Sequence, residues 1–304
     1  MESIISTNAL CKRYKKQMAV DHVNMHINQG DIYGFVGENG SGKTTVIRLI
    51  TGLISPTFGS FELFGTNSSS KKIGYARSRI GAIVESPSIY LNMSAYDNLK
   101  TQCAICGIDD KKIIDALKDV GLEHLYNDKK HAGDFSLGMR QRLGIAMALL
   151  SNPEFLILDE PMNGLDPAGI VEIRELILKL NRERGMTFLI SSHILTELSL
   201  IATKYGIISK GKLIKEITSK ELHNECSKTT LISSDTPEKL LETVKNSITN
   251  ECEITTDGVK ILGNLDLTAL LAAIISSKIK ITSVNCSETS FEDYYLSIIG
   301  GVGK

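Results

Sequence analysis

One short segment of the chain identifies its fold class: it reads Gly37-Glu38-Asn39-Gly40-Ser41-Gly42-Lys43-Thr44 and is followed by a second threonine, Thr45. It fits the pattern G-x-x-x-x-G-K-[ST], in which glycines let backbone N–H groups point inward at phosphate oxygens. In such a loop the lysine reaches the outer phosphates and the first threonine offers its hydroxyl to Mg²⁺. The pattern predicts a loop that binds the polyphosphate tail of a nucleotide.

The residues on either side of the loop have the periodicity that such a loop requires. Ile32–Val36 is a short apolar run of the kind that forms a buried strand. After the loop, apolar residues recur at helical spacing on one predicted face: Val46, Ile47, Leu49, Ile50 and Leu53. The helix would add its positive N-terminal end to the phosphate site. Strand, loop and helix in this order predict an α/β fold of the P-loop NTPase type.

Two adjacent carboxylates lie further along the chain, at the end of a second apolar run. The run reads Phe155-Leu156-Ile157-Leu158-Asp159-Glu160. Two carboxylates at a strand end can divide the work of holding a metal ion and polarising a water molecule. An Asp-Glu pair after a strand is common by itself. We interpret this pair as part of a nucleotide site because it follows a phosphate loop in the same chain.

Three further segments place polar residues where a nucleotide site needs them. Ser136 and Gly138 begin a helix, since a serine can cap it and a glycine permits close approach. His193 directly follows an apolar strand, at the carboxyl edge where doubly wound sheets place ligands. Tyr14 offers an aromatic ring near the amino terminus.

In this order the segments resemble the ATPase subunits of ATP-binding-cassette (ABC) transporters. The resemblance implies ATP and Mg²⁺ as cofactors, bound by Gly37, Glu38, Asn39, Gly40, Ser41, Gly42, Lys43, Thr44 and Thr45. It implies that Asp159 supports Mg²⁺ and that Glu160 is the general base. It also implies that His193 contacts the γ-phosphate and that Tyr14 stacks on adenine.

The segment Phe135-Ser136-Leu137-Gly138-Met139-Arg140-Gln141-Arg142 resembles the signature of that family, usually Leu-Ser-Gly-Gly-Gln. Only Ser136 and Gly138 match those five positions. The resemblance implies that these two residues close the ATP site of a second ATPase subunit, either an identical copy or a close paralogue. The resemblance also implies that the loop Asn163-Gly164-Leu165-Asp166 contacts this second subunit.

Glu85 is the main departure from the family pattern. The family normally has a glutamine near this position, in the loop that joins the core to the helical arm. A carboxylate can still accept hydrogen bonds or approach Mg²⁺, but it lacks two N–H donors and adds a negative charge. We predict that Glu85 is a subfamily trait and that the subunit still hydrolyses ATP.

Composition limits the partners. The formal net charge of −1 argues against broad attachment to nucleic acid. The chain shows no signal-peptide pattern and no run approaching the roughly 18–20 apolar residues that span a bilayer. We therefore expect a cytoplasmic protein held peripherally at the cell membrane by an integral membrane permease.

The six cysteines show no disulfide framework, and Cys103 and Cys106 are predicted to be small apolar side chains on one helix face.

The chain is predicted to have two domains. Residues 1–216 would form an ABC-type nucleotide-binding domain with a RecA-like core, an antiparallel β subdomain and a helical subdomain at about 87–152. Residues 217–304 read as a small α+β accessory domain of ferredoxin-like type, in the order βαββαβ with a turn at Asp257-Gly258.

The weak signature, Glu85 and the accessory domain together resemble the ATPase subunits of bacitracin and lantibiotic resistance exporters. Two alternatives remain. One is a soluble cassette ATPase that acts on ribosomes or DNA, although ribosome-acting forms usually fuse two cassettes and DNA-acting forms insert long coiled coils. The other is a non-catalytic, nucleotide-gated interaction protein, against which Lys43, Asp159 and Glu160 argue.

Overall fold

The computed structural model describes residues 2–226, 228–247, 252–256, 258–262, 267–277, 279–288 and 290–301. The chain divides into two compact units, Met1–Ser219 and Lys220–Lys304. The boundary expected after residue 216 falls inside the strand Lys212–Thr218, because that strand stays paired along its length with Lys204–Ser209.

The first unit combines eleven strands with seven helices, and an eighth helix crosses the boundary between the units. The strands are β1 (Ser3–Tyr14), β2 (Gln17–Val23), β3 (His26–Asn28), β4 (Ile32–Val36), β5 (Phe58–Leu63), β6 (Thr66–Asn67), β7 (Ile80–Ile83), β8 (Phe155–Asp159), β9 (Thr187–Ser192), β10 (Lys204–Ser209) and β11 (Lys212–Thr218). The helices are α1 (Lys43–Thr51), α2 (Ile73–Arg77), α3 (Ala95–Cys106), α4 (Lys112–Asp119), α5 (Leu137–Leu149), α6 (Pro167–Arg184), α7 (Leu195–Ser199) and α8 (Ser219–Glu225).

A six-stranded sheet carries the site. Its order is β11-β10-β4-β9-β8-β7, and every neighbouring pair is parallel except β11 with β10. Every residue of β4, β8 and β9 is buried. Such continuous burial is typical of parallel strands that are covered on both faces, and it explains why their sequences are apolar throughout. The strands predicted from the apolar runs at 32–36 and 155–158, and the apolar strand predicted before His193, are confirmed.

The second sheet is antiparallel and lies at the amino-terminal side of the sequence. The long strand β1 pairs with β2, β3 and β5, and β5 pairs with β6. One apolar cluster contains Leu10 and Phe61 from this sheet, Val46 from α1, and Phe155 from the parallel sheet. The shared core fixes the phosphate loop between the two sheets, since burying apolar surface together is the main favourable term in folding.

Helix α1 follows the phosphate loop as predicted, with Val46, Ile47, Leu49 and Ile50 buried. The prediction fails at Leu53, which is 64% exposed. The helix ends earlier, because Gly52 adopts a left-handed backbone and its N–H donates to the carbonyl of Arg48. Leu53 therefore leaves the buried face of the helix.

The helical arm is built from α3, α4 and α5, with short 3₁₀ turns at Glu123–Leu125 and Ala132–Asp134. Helix α3 begins at a cap, since the hydroxyl of Ser94 accepts the N–H of Asp97 at 3.1 Å. Both cysteines of the CxxC pair lie on α3, but only Cys103 is buried and Cys106 is exposed. The predicted placement on one helix face agrees with their spacing of three residues on α3, but Cys106 is exposed in the last turn of the helix.

The second unit contains β12 (Lys228–Ser234), α9 (Pro237–Ser247), β13 (Cys252–Thr255), β14 (Gly258–Leu262), α10 (Leu267–Ser276), β15 (Ile281–Glu288) and α11 (Phe291–Gly301). Its antiparallel sheet has the order β13-β14-β12-β15, which is the ferredoxin-like order for a βαββαβ chain. The ferredoxin-like prediction is confirmed. Asp257 of the expected turn lies outside the described residues.

Two negative findings apply to the described part of the chain. No helix there combines the length and the apolar character needed to cross a membrane. All six cysteines are free thiols.

Candidate nucleotide-binding site

The phosphate loop needs glycine at Gly42 for two separate reasons. Its φ is +113°, a backbone conformation that side chains strongly disfavour. A Cβ at this position would also lie 2.6 Å from the carbonyl oxygen of Ala19 in β2. The loop can therefore approach β2 closely only because residue 42 has no side chain.

Lys43 is the buried cation of the site. Its ammonium donates to the carbonyl of Gly37 at 2.6 Å and to that of Glu38 at 3.3 Å. The same atom lies 3.4 Å from Oε1 of Glu160. A buried ammonium needs such partners, because burying an unpaired charge is costly. The lysine is thus held in the loop by partners that a polyphosphate could replace.

Glu160 links the phosphate loop to the end of β9. Its Oε2 lies 2.8 Å from Nδ1 of His193, while its other oxygen faces Lys43. Glu160 has a φ of +51°, and its N–H donates to the hydroxyl of Ser191 at 2.9 Å. The structure therefore brings the predicted residues Lys43, Glu160 and His193 into one contact network.

Ser191 is a site residue that the sequence reasoning missed. Its hydroxyl donates to Oδ1 of the buried Asp159 at 2.5 Å while it accepts from Glu160. One hydroxyl thereby holds the carboxylate of Asp159 and the backbone N–H of Glu160 at the end of β8. The only signal in the sequence was the change from apolar to polar residues at the end of β9, and serines at strand ends are too common to be decisive.

A pocket of about 410 Å³ lies over the loop. The predicted residues that line it are Glu38, Asn39, Gly40, Ser41, Gly42, Lys43, Thr44, Thr45 and Glu160. Five lining residues were not predicted, namely Gln17, Met18, Ala19, Lys210 and Gly211. These come from β2 and from the turn between β10 and β11. Gly211 donates its N–H to the carbonyl of Ser41 at 2.8 Å, and this contact depends on tertiary structure.

The residues of the pocket fit a magnesium nucleotide. Ser41 Oγ is buried and has no hydrogen-bond partner among the described residues, so a bound group can use it. The half-buried Thr44 and the buried Asp159 supply hydroxyl and carboxylate oxygens, the donors that Mg²⁺ prefers. Lys43 supplies the positive charge that phosphates require.

Tyr14 lies beside this pocket rather than in it. It is the last residue of β1, and it pairs across the strands with Gln17, which lines the pocket. Its side chain is 43% exposed, and the ammonium of Lys12 lies 5.4 Å from its ring centroid. An exposed ring next to the pocket leaves a free face for stacking.

Ser136 and Gly138 are not among the residues that line the pocket. Ser136 caps α5, where its hydroxyl accepts the N–H of Met139 at 3.2 Å. A Cβ on Gly138 would meet nothing in the described chain closer than 3.8 Å, the nearest atom being the Cα of Gly169. The packing of this chain therefore does not require glycine at position 138.

Glu85 also lies away from the lining of the pocket. It follows β7, and its carboxylate forms an ion pair with the guanidinium of Arg48 in the last turn of α1. The predicted metal ligand Glu85 therefore contacts an arginine and does not line the pocket. Of the other two predicted metal ligands, Thr44 lines the pocket and Asp159 directly precedes the lining residue Glu160 in the chain.

A glycine-rich phosphate loop after β4 of a parallel sheet, together with two carboxylates at the end of β8 two strands away, defines a P-loop nucleoside triphosphatase. Residues 20–163 match the ABC transporter family. The chain is 45% identical to the bacitracin transport ATP-binding protein BcrA of Bacillus licheniformis over 305 residues, covering 99% of each chain. It is 45% identical to the lantibiotic transport ATP-binding protein SrtF of Streptococcus pyogenes, covering 68% of this chain and 87% of SrtF.

A solved structure agrees in fold. CbiO1 of Clostridium perfringens, part of the ABC transporter complex CbiONQ, is 29% identical, with a TM-score of 0.66, over 73% of this chain and 91% of its own. The chain belongs to the ABC transporter family, as an ATP-binding subunit that couples ATP hydrolysis to transport.

Proposed function

We propose that the pocket binds ATP with Mg²⁺ and that Glu160 is the general base for its hydrolysis. The contact network of Lys43, Glu160 and His193 is the observation that carries this proposal. Lys43 would exchange its carbonyl and carboxylate partners for the outer phosphates of ATP. That exchange frees Oε1 of Glu160 to accept a proton from the attacking water, while His193 holds the other oxygen.

The remaining residues of the site have supporting roles in this proposal. Thr44 and Asp159 would hold Mg²⁺, which stabilises the charge that develops on the phosphates. The loop glycines and Thr45 would surround the phosphates with N–H groups. Tyr14 would stack on adenine, using the ring face that is exposed beside the pocket.

We further propose that a second ATPase subunit, an identical copy or a close paralogue, completes the site. Ser136 and Gly138 of that subunit would approach the γ-phosphate at the N-terminal end of α5. The space around Gly138 supports this assignment, because a glycine that internal packing does not require is available for contact with another molecule. The pairing is mutual, so each subunit completes the site of the other.

The helical arm and the loop at Glu85 are the parts that would pass motion to an integral membrane permease. A groove of about 820 Å³ runs between β7, α3 and α5, and the residues on both sides of Glu85 line it. The subunit would then reside at the cytoplasmic face of the cell membrane, held there by the permease.

The cargo that we propose is an antimicrobial peptide of the bacitracin or lantibiotic type, exported for resistance or immunity. The full-length similarity to BcrA supports this substrate class. Deleting the gene in its host should increase sensitivity to such peptides. Native protein should restore resistance and the Glu160→Gln variant should not. Equal complementation by both would contradict energy coupling through this site.

The Glu160→Gln variant tests the mechanism directly. Turnover should fall by about 100-fold or more, since a positioned general base contributes at least that factor. The variant should keep its affinity for ATP and accumulate as an ATP-bound dimer in size-exclusion chromatography. Glu154→Gln is the matched control, because Glu154 is an exposed partner of Arg79. Normal turnover in Glu160→Gln would remove Glu160 from the role of base.

A further inference from the structure

The loop between β7 and the helical arm is strained at Glu85. Glu85 has a φ of +65°, and the N–H of Ser86 donates to the carbonyl of Val84 at 2.9 Å. A hydrogen bond between residues two apart around a positive φ is a γ-turn of the rare and strained kind. Such a turn persists only when its surroundings hold it.

Arg48 is the group that holds Glu85 from outside the loop. Its guanidinium forms an ion pair with the carboxylate of Glu85, and none of the described residues offers Arg48 a second ion pair. The two side chains are 36% and 62% exposed, so the pair adds only modest stability. Loss of this pair should therefore loosen the turn measurably without unfolding the loop.

The negative charge of Glu85 also matters for the binding of a polyphosphate. Lys43 and Arg48 lie on the same helix, five residues apart, which corresponds to roughly 7 to 8 Å along its axis. Arg48 thus lies on the helix that carries Lys43, and repulsion between an unpaired carboxylate and a polyphosphate reaches over about one Debye length, roughly 8 Å at physiological salt. An arginine paired with it cancels most of this repulsion.

We propose that Arg48 is a positioning residue for Glu85. Arg48 neutralises the carboxylate and holds the loop 84–86 in its strained turn, against α1 and outside the nucleotide pocket. The ion pair thereby joins α1, the helix that follows the phosphate loop, to the loop at Glu85. The neighbours of Glu85, Val84 and Ser86, line the groove beside the helical arm. The effect of Arg48 on ATP binding rests on the proposed function. The effect of Arg48 on the turn at Glu85 does not require nucleotide.

Hydrogen exchange of the nucleotide-free protein tests the structural part. The Ser86 amide should exchange about two- to fivefold faster in Arg48→Gln, the range that an exposed ion pair can contribute. Arg79→Gln is the matched control, since Arg79 and Glu154 form an ion pair with similar exposures of 33% and 52%. Unchanged exchange of Ser86 in Arg48→Gln, or an equal change in Arg79→Gln, would refute the clamp.

ATP affinity tests the charge part. Arg48→Gln should raise the Kd for ATP by about two- to fivefold at low salt, and the difference should shrink at high salt. The double variant Arg48→Gln/Glu85→Gln should return to nearly native affinity, and Arg48→Lys should retain it. A loss that persists unchanged in the double variant would mean that Arg48 acts only by packing α1.

The two assays separate this proposal from the proposed function. If the native protein bound no ATP, the function would fail while Ser86 exchange still reported on the turn. If ATP bound normally and Ser86 exchange ignored Arg48, the clamp alone would fail.

Discussion

At the scale of single residues, the site depends on backbone conformations that few side chains accept. Gly42 combines a left-handed φ with a close approach to Ala19, whereas Gly40 has a φ of +79° and open space around its Cα. Substitutions at Gly42 and Gly40 can therefore separate the effect of backbone strain from the effect of a steric clash.

We predict that Gly42→Ala reduces ATP affinity by about tenfold or more, since conformational strain of about 1–2 kcal/mol adds to the clash. Gly40→Ala should show the strain alone and a smaller loss. Equilibrium binding of a fluorescent ATP analogue measures both variants. Equal losses would show that contact with Ala19 is unimportant.

Ser191 is the second residue at which a small change should have a large effect. Its single hydroxyl bonds to Asp159 and Glu160 at once, and the residue is fully buried. We predict that Ser191→Ala lowers ATP turnover by about tenfold or more, because the carboxylate of Asp159 loses its orienting donor and the backbone of Glu160 loses an acceptor. The free energy of unfolding should fall by about 1–3 kcal/mol, the cost of leaving buried polar groups unsatisfied.

Ser192→Ala is the matched control for this variant. Ser192 is also buried, but its hydroxyl accepts the N–H of Ile194 and does not contact either carboxylate. Steady-state turnover and chemical denaturation should separate the two variants. If both lowered turnover equally, the effect would belong to the strand end and not to the shared hydroxyl.

At the scale of elements, the start of the helical arm has a titratable cap. The hydroxyl of Ser94 accepts the N–H of Asp97, and it lies 2.6 Å from the Asp97 carboxylate. The hydrogen bond from Ser94 holds the pKa of Asp97 below its usual value of 3.8. The unfolded chain therefore binds a proton more readily than the native chain as the pH falls through that region.

This linkage gives a pH-dependent prediction. Ser94→Ala should lower stability by about 1 kcal/mol near neutral pH, as expected for loss of a helix cap. The stability that the ionised Asp97 carboxylate contributes is fully present above pH 3.8. It is lost as the pH falls through the lowered pKa of Asp97 in the native protein. The difference in Tm between native protein and variant should therefore shrink on acidification from pH 6 to pH 3.

Ser136→Ala provides the comparison, because Ser136 caps α5 through the N–H of Met139 without a carboxylate partner. Its difference in Tm from the native protein should stay constant over the same pH range. A constant difference for Ser94→Ala as well would mean that Asp97 does not contribute to the cap.

At the scale of the whole molecule, each of the two units has its own apolar core. In the second unit the buried cluster is formed by the sheet and its helices: Ile232, Leu240, Val244, Val259, Ile261, Leu270, Ile274 and Ile279. All residues that line the nucleotide pocket belong to the first unit. Nucleotide binding should therefore not need the second unit.

We predict that a fragment of residues 1–219 folds and binds ATP with nearly native affinity. A fragment of residues 220–304 should fold separately and unfold in one cooperative transition in urea. Ile261→Ala should destabilise the second fragment by about 2–5 kcal/mol, because it leaves a cavity in a fully buried position. Loss of ATP binding in the first fragment would contradict the independence of the units.

The sequence by itself determined the class of fold, the phosphate loop and the order of the accessory domain. Each depends on local information, namely continuous apolar runs, helical spacing and the glycines and lysine of one short loop. Glu160 and His193 could be predicted for the same reason, since both directly follow buried strands whose carboxyl ends meet at one edge of a parallel sheet. Element ends were less predictable, because a single residue such as Gly52 can end a helix.

Only the tertiary structure decided which residues meet across large separations in the chain. Ser191 orients the carboxylate of Asp159, 32 positions earlier, Gly211 contacts the phosphate loop from the turn after β10, and Arg48 holds Glu85. No local pattern encodes such contacts, because they arise when packing of two sheets around a shared core brings distant segments together. The physical reason is that apolar burial is non-directional: it fixes where the elements lie, and the polar contacts follow from that placement.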